Sequence, residues 1–96
     1  MVFKLIKKEK NILVAELEGE DHTLANLLAK YLIRMDKVKF ASYHIPHPLV
    51  GHPIIRVVTV EGVDPLSVLE EALNTIIKDL RELREKLVME LEKERT

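Results

Sequence analysis

Three of the chain's four histidines, His44, His47 and His52, follow one another as H-x2-H-x4-H. Three imidazoles can bind a zinc ion, with water as the fourth ligand of a catalytic site. No carboxylate lies close in sequence to orient the rings, a role that such ligands need filled. A strand through Tyr43 and His44 would also send those two side chains to opposite faces. Pro46, Pro48 and Pro53 occupy the same segment, FASYHIPHPLVGHPIIR, between Phe40 and Arg56. Prolines fix φ, push the preceding residues towards extended geometry and lower the entropy lost on ordering. The segment reads as a rigid connection between two strands rather than as a metal centre. His22 beside Asp21 and Thr23 could form an acid–base pair. At a helix start, however, Asp21 fits better as an N-cap accepting backbone N–H groups. No P-loop, dinucleotide fingerprint, nucleophile elbow or H-E-x-x-H motif is present. No catalytic residue, metal or cofactor is therefore expected.

The composition narrows the remaining classes. Ninety-six residues with 47% hydrophobic and 32% charged side chains describe one globular domain, residues 1–96. Aromatic residues make up only 4%, so aliphatic side chains must fill the core. A formal charge of −1 argues against stand-alone binding of nucleic acid, which calls for a basic excess. The absence of cysteine excludes disulfides and thiolate chemistry and fits a reducing, cytoplasmic compartment. No run approaches the ~20 apolar residues of a membrane span, and no signal-peptide pattern opens the chain.

The elements that must position these residues follow from periodicity. Residues 2–8 and 12–18 read as two strands of a hairpin, with Leu13, Ala15 and Leu17 alternating against Val14, Glu16 and Glu18. A helix is expected from about His22 to Met35. Its polar stripe is narrow (Asn26, Lys30 and Arg34, with Thr23 nearby), so it should meet the sheet on one side and another surface on the other. Residues 38–45 and 54–61 read as a second strand pair. Asp64-Pro65 is a strong helix start, and no glycine or proline follows before the end of the chain. The order is ββαββα, an α+β fold with a four-stranded sheet and two helices on one face.

The last helix is too long for such a sheet. A helix of ~30 residues spans roughly 45 Å, whereas strands of about seven or eight residues span roughly 25 Å. Its apolar stripe, Leu66, Leu69, Leu73, Ile76, Leu80, Leu83 and Leu87, with Leu91 after a one-residue slip, continues into the overhang. Val68, Ala72 and Ile77 widen the stripe over the sheet, and beyond Lys78 it narrows to a seam flanked by charges. Such a seam suits a helix–helix contact with a partner. Glu82–Lys86 is an i,i+4 pair that favours the helix, and fraying is expected over residues 92–96.

Three blocks, EDHTLANLL at 20–28, FASYHIPHPL at 40–49 and IRVVT at 55–59, resemble the small alpha-like subunits of cellular RNA polymerases. The resemblance extends over nearly the whole chain. It implies a ββαββα dimerisation fold and a subunit of a nucleotidyltransferase that has no active site of its own. The implied partner is the larger alpha-like subunit, the D-type subunit of archaeal enzymes. The pair would then be the platform on which the large catalytic subunits assemble. By the same resemblance Leu24, Leu28, Tyr31, Leu32, Met35, Leu80, Leu83 and Leu87 are the expected interface. Asp21, His22, Thr23, Leu24, Ala25 and Asn26, with the loop carrying Tyr43, Pro46, His47 and Pro48, are the motif elements. The adjacent arginines of the first helix in bacterial alpha subunits have no equivalent, because Leu28 and Ala29 precede a lone Lys30. A histidine-dependent dehydratase of the pterin carbinolamine type shares the α+β plan, but its adjacent histidines and tryptophan are missing. An RNA-binding module would need a basic face with exposed aromatics, and a generic α+β interaction module remains the plainest alternative.

Overall fold

A computed structural model describes residues 2–19, 22–46 and 51–95. Two strands, β1 (Val2–Lys8) and β2 (Ile12–Glu18), precede helix α1 (His22–Ile33). Strands β3 (Val38–His44) and β4 (Ile54–Thr59) follow, and helix α2 (Pro65–Arg95) closes the chain. The sheet order is β1-β2-β4-β3 with every pair antiparallel.

Alternation does the sorting. In β2, Leu13, Ala15 and Leu17 are buried while Ile12, Val14, Glu16 and Glu18 are only partly covered. The register sets Leu13 beside Val57 and Ala15 beside Ile55, and Ala41 of β3 beside Val57. These side chains point to one face and meet Ala25, Leu28 and Leu32 of α1 and Val68, Leu69, Ala72 and Ile76 of α2 in a single core. Both helices thus cover one face, and the opposite face of the sheet stays open. The smallest dimension, 17 Å between extreme Cα positions, is that of two layers.

Three element ends differ from the sequence reading. Helix α1 stops at Ile33, because the Met35 N–H donates to the Leu32 carbonyl in a tight turn and the Val38 N–H returns to Met35. Strand β3 stops at His44, one residue before the Ile45-Pro46 step, where proline could not continue the ladder. Strand β4 stops at Thr59, because the chain turns through Gly62, whose φ of 84° suits a residue without Cβ. Helix α2 runs to Arg95, with Glu90–Lys93 and Glu92–Arg95 ion pairs across the last turns. Thr96 lies outside the described residues.

A small polar knot fixes where α2 begins. The Thr59 hydroxyl is buried and donates to the Val63 carbonyl at 2.7 Å. The Asn11 side-chain amide reaches across from the β1–β2 turn and donates to the Val60 carbonyl at 2.7 Å. Asp64 then caps the helix, accepting from the Leu66 N–H at 3.2 Å and from the Ser67 hydroxyl at 3.3 Å, with Lys8 at 3.4 Å. The Leu66 N–H, more than the Lys8 cation, holds the Asp64 carboxyl below its ordinary pKa of 3.8. A lowered folded-state pKa means stability that is complete above the unfolded value and lost as pH falls through the folded one. Thermal melts should accordingly favour wild type over Asp64→Ala at neutral pH, with the gap shrinking progressively below pH 3.8.

Candidate functional site

Helix α2 carries the same apolar arc along its whole length. Leu66, Leu69, Leu73, Ile76, Ile77, Leu80, Leu83, Leu87, Val88 and Leu91 fall within roughly 140° of its circumference at 3.6 residues per turn. The sheet covers only part of it. Ile76 is the last buried residue, and 77–95 are exposed throughout. Those turns run for roughly 28 Å at 1.5 Å per residue, somewhat further than the sequence estimate. Leu80, Leu83, Leu87 and Leu91 are 54%, 62%, 57% and 51% exposed. An apolar face of that size without cover marks a contact surface.

The face continues back along the domain. Beside the first half of α2 lies an apolar groove of about 310 Å³, lined by Phe3, Leu5, Leu13, Ala15, Leu66, Leu69, Glu70 and Leu73. Edge strand β1 forms one wall and α2 the other. Ile77, expected over the sheet, is instead 47% exposed and joins the groove to the overhang. Phe3 and Leu5 do not stand out in the sequence, although their alternation with Lys4 places them on the helix-bearing face.

A latch sets the direction in which the overhang leaves the domain. The Tyr31 hydroxyl donates to Asp79 Oδ2 at 2.7 Å, one turn beyond Ile76, and the Arg34 guanidinium lies 5.9 Å from the Tyr31 ring centre. The hydrogen bond to Asp79 raises the Tyr31 pKa above 10.0, with burial and the Asp79 charge adding to it and Arg34 opposing. Tyr31 therefore stays protonated and able to donate at neutral pH.

The expected interface residues divide into two groups. Leu80, Leu83 and Leu87 project from the overhang, and Leu24, Tyr31 and Met35 are partly covered on α1 and in the turn after it. Leu28 and Leu32 are 0% exposed and belong to the chain's own core, so they hold α1 on the sheet and have no side-chain surface to offer a partner. Helical periodicity shows that α1 is apolar over most of its surface; it does not show which flank the sheet takes.

The described part of the histidine segment lies at the ends of β3 and β4. His52 Nδ1 accepts from the Gly19 N–H at 3.3 Å, and the Pro53 carbonyl accepts from the Leu17 N–H at 2.9 Å, tying the start of β4 to the end of β2. His44 is exposed at the end of β3, and among the described residues no three metal-ligating side chains converge. His22 and Thr23 are exposed at the start of α1, Asn26 is partly covered, and Pro46 is exposed. Asp21, His47 and Pro48 lie outside the described residues. No helix is long and apolar enough to cross a membrane among the described residues.

Comparison with known proteins identifies the family. Residues 13–86 match the family described as the RNA polymerase Rpb3/Rpb11 dimerisation domain. DNA-directed RNA polymerase II subunit RPB11 of Schizosaccharomyces pombe is 41% identical over 92 residues, 96% of this chain and 75% of that one. DNA-directed RNA polymerase subunit Rpo11 of Methanocaldococcus jannaschii is 43% identical over 98 residues, covering 90% of this chain and 99% of its own length. A crystal structure of DNA-directed RNA polymerase subunit L from Thermoplasma acidophilum shares the fold with a TM-score of 0.83 at 29% identity, over 96% of this chain and 90% of the other. The chain belongs to this family: it is an RNA polymerase subunit of the Rpb11/Rpo11 type, built on a dimerisation domain.

The division between core and surface leucines can be read from stability. Leu28→Ala should lower the denaturant-derived free energy of unfolding by ~2–5 kcal/mol, the cost of a cavity in a packed core. Leu83→Ala should change it by less than about 0.5 kcal/mol when no partner is present. Equal losses for the two variants would place Leu83 in the chain's own core.

Proposed function

We propose that the chain pairs with the larger alpha-like subunit of the polymerase, the D-type subunit of archaeal enzymes, through the apolar face of α2. The observation that carries this reading is the row Ile77, Leu80, Leu83, Leu87 and Leu91, exposed on a helix that has run past its own sheet. A leucine moved from water to a packed interface contributes ~1.5–3 kcal/mol, so several together outweigh the ordering that association requires. Leu24, Tyr31 and Met35 form the α1 margin of the contact, and the groove between β1 and α2 receives the partner's apolar side chains. The family description, a dimerisation domain named for two subunits, supports pairing with an unlike chain.

The pair then acts as the platform for the large catalytic subunits. This chain supplies shape and apolar surface to a cytoplasmic nucleotidyltransferase, and the chemistry takes place on other subunits. Neither the loop through Tyr43, Pro46, His47 and Pro48 nor the motif from Asp21 to Asn26 is needed for a reaction. Their role in this reading is to hold the ends of the strands and the start of α1.

Co-expression provides the test. Wild-type chain should elute with the larger alpha-like subunit as a 1:1 complex, and should self-associate or melt early when purified alone. Leu83→Glu combined with Leu87→Glu should abolish the complex while the circular dichroism spectrum keeps its strand and helix content. A stable wild-type monomer with no affinity for that subunit would sink the reading, and intact pairing by the double variant would move the interface off α2.

A further inference from the structure

The open face of the sheet, on the side away from the helices, carries a pattern that pairing through α2 leaves unused. Arg56 stands on inner strand β4 with Val14 opposite it on β2 and Ser42 opposite it on β3. Ile54 and Val58 lie two residues to either side on the same strand and so on the same face. Phe40, opposite Val58, is 52% exposed. These six residues line a shallow depression of about 440 Å³, extended by His44 at its edge. Arg56 is exposed and makes no ion pair among the described residues. An unpaired guanidinium beside Val14, Phe40, Ile54 and Val58, with Ser42 and His44 as polar neighbours and Glu16 opposite Ile54 on the same face, has the mix of an interface centre, where arginine anchors a desolvated carboxylate.

We propose that this face docks a segment of another subunit within the same polymerase, one that presents a carboxylate to Arg56 and apolar side chains to Phe40, Ile54 and Val58. The inference rests on the assembly reading above. Its choice of occupant rests on area. Four strands at ~4.8 Å spacing and about six residues long offer roughly 400 Å², against about 800 Å² per partner in a stable free-standing interface. A contact that small holds only when other contacts already bring the two chains together. A neighbouring subunit of one complex meets that condition, and a second free copy of this chain does not. The face lies opposite α1 and α2, so it remains available after pairing.

Reconstitution of the polymerase from separate subunits tests the proposal with two readouts, pairing with the larger alpha-like subunit and incorporation of this chain into the full enzyme. Arg56→Glu and Phe40→Asp change exposed side chains, and melts of each variant serve as the folding control. Pairing should be unchanged for both. Incorporation should fall by about tenfold or more for Arg56→Glu, with much of it kept by Arg56→Lys. Incorporation at the wild-type level for both variants would overturn the proposal. So would an equal loss of pairing, which would assign the face to the alpha-like partner, or a self-dimer of the free chain abolished by Phe40→Asp, which would assign it to a second copy. Failure of the wild-type chain to pair would count against the heterodimer reading alone, because incorporation still reports on the sheet face.

Discussion

One mismatch of length governs this molecule: the sheet ends under Ile76 and the apolar arc of α2 does not. Up to that residue one side of the arc, Leu69 and Ile76 with Val68 and Ala72 beside them, packs on Leu13, Ala15, Ile55 and Val57 of the facing strands, while Leu66 and Leu73 border the open groove. Beyond it the same side-chain pattern meets water. Burying leucine is favourable wherever the cover comes from, which is the physical basis of the pairing proposed through α2. The rest of the fold aims it. Asp64 and the Asn11–Thr59 knot set where the helix starts, and the Tyr31–Asp79 hydrogen bond ties it down just where the sheet's support stops.

Part of the histidine segment serves the sheet directly. His52 and Pro53 use their polar atoms to close the end of β2, and His44 alternates onto the open face of the sheet. The polar atoms that matter to the fold are elsewhere and quieter, in the Thr59 hydroxyl and the Asn11 amide. A buried hydroxyl without a partner would cost the domain its desolvation energy; here every buried side-chain polar atom among the described residues has one.

Much of this is legible in the residues. Period-2 alternation in β2, the Asp64-Pro65 start and the unbroken run to Arg95 identify the elements and their order. The seam from Leu80 to Leu87 is visible as a leucine spacing continued past any sheet the strands could make. What periodicity cannot supply is depth. Leu28 and Leu32 look the same in sequence as Leu24, and only the crossing of α1 over β3 and β4 decides that the first two go inward. The groove walled by Phe3 and Leu5 is likewise hidden, because it joins the two ends of the chain. Arg56 is inconspicuous for a similar reason: its isolation comes from cross-strand neighbours, not sequence neighbours. Asp21, His47 and Pro48, named from the motif, lie outside the described residues.

The unfinished arc of α2 also has a thermodynamic consequence. A surface that closes only on another molecule makes the free energy of the folded chain a function of that molecule's concentration. Partner present at a hundredfold excess over its dissociation constant adds ~2.7 kcal/mol, a large share of the ~5–15 kcal/mol that holds a typical domain together. Copies made in surplus lack that increment and spend more time open, where chaperones and proteases act on them. On the pairing proposed above, the reach of one helix past its sheet would act as a gauge of subunit balance, with surviving copies tracking the supply of the chain that covers it.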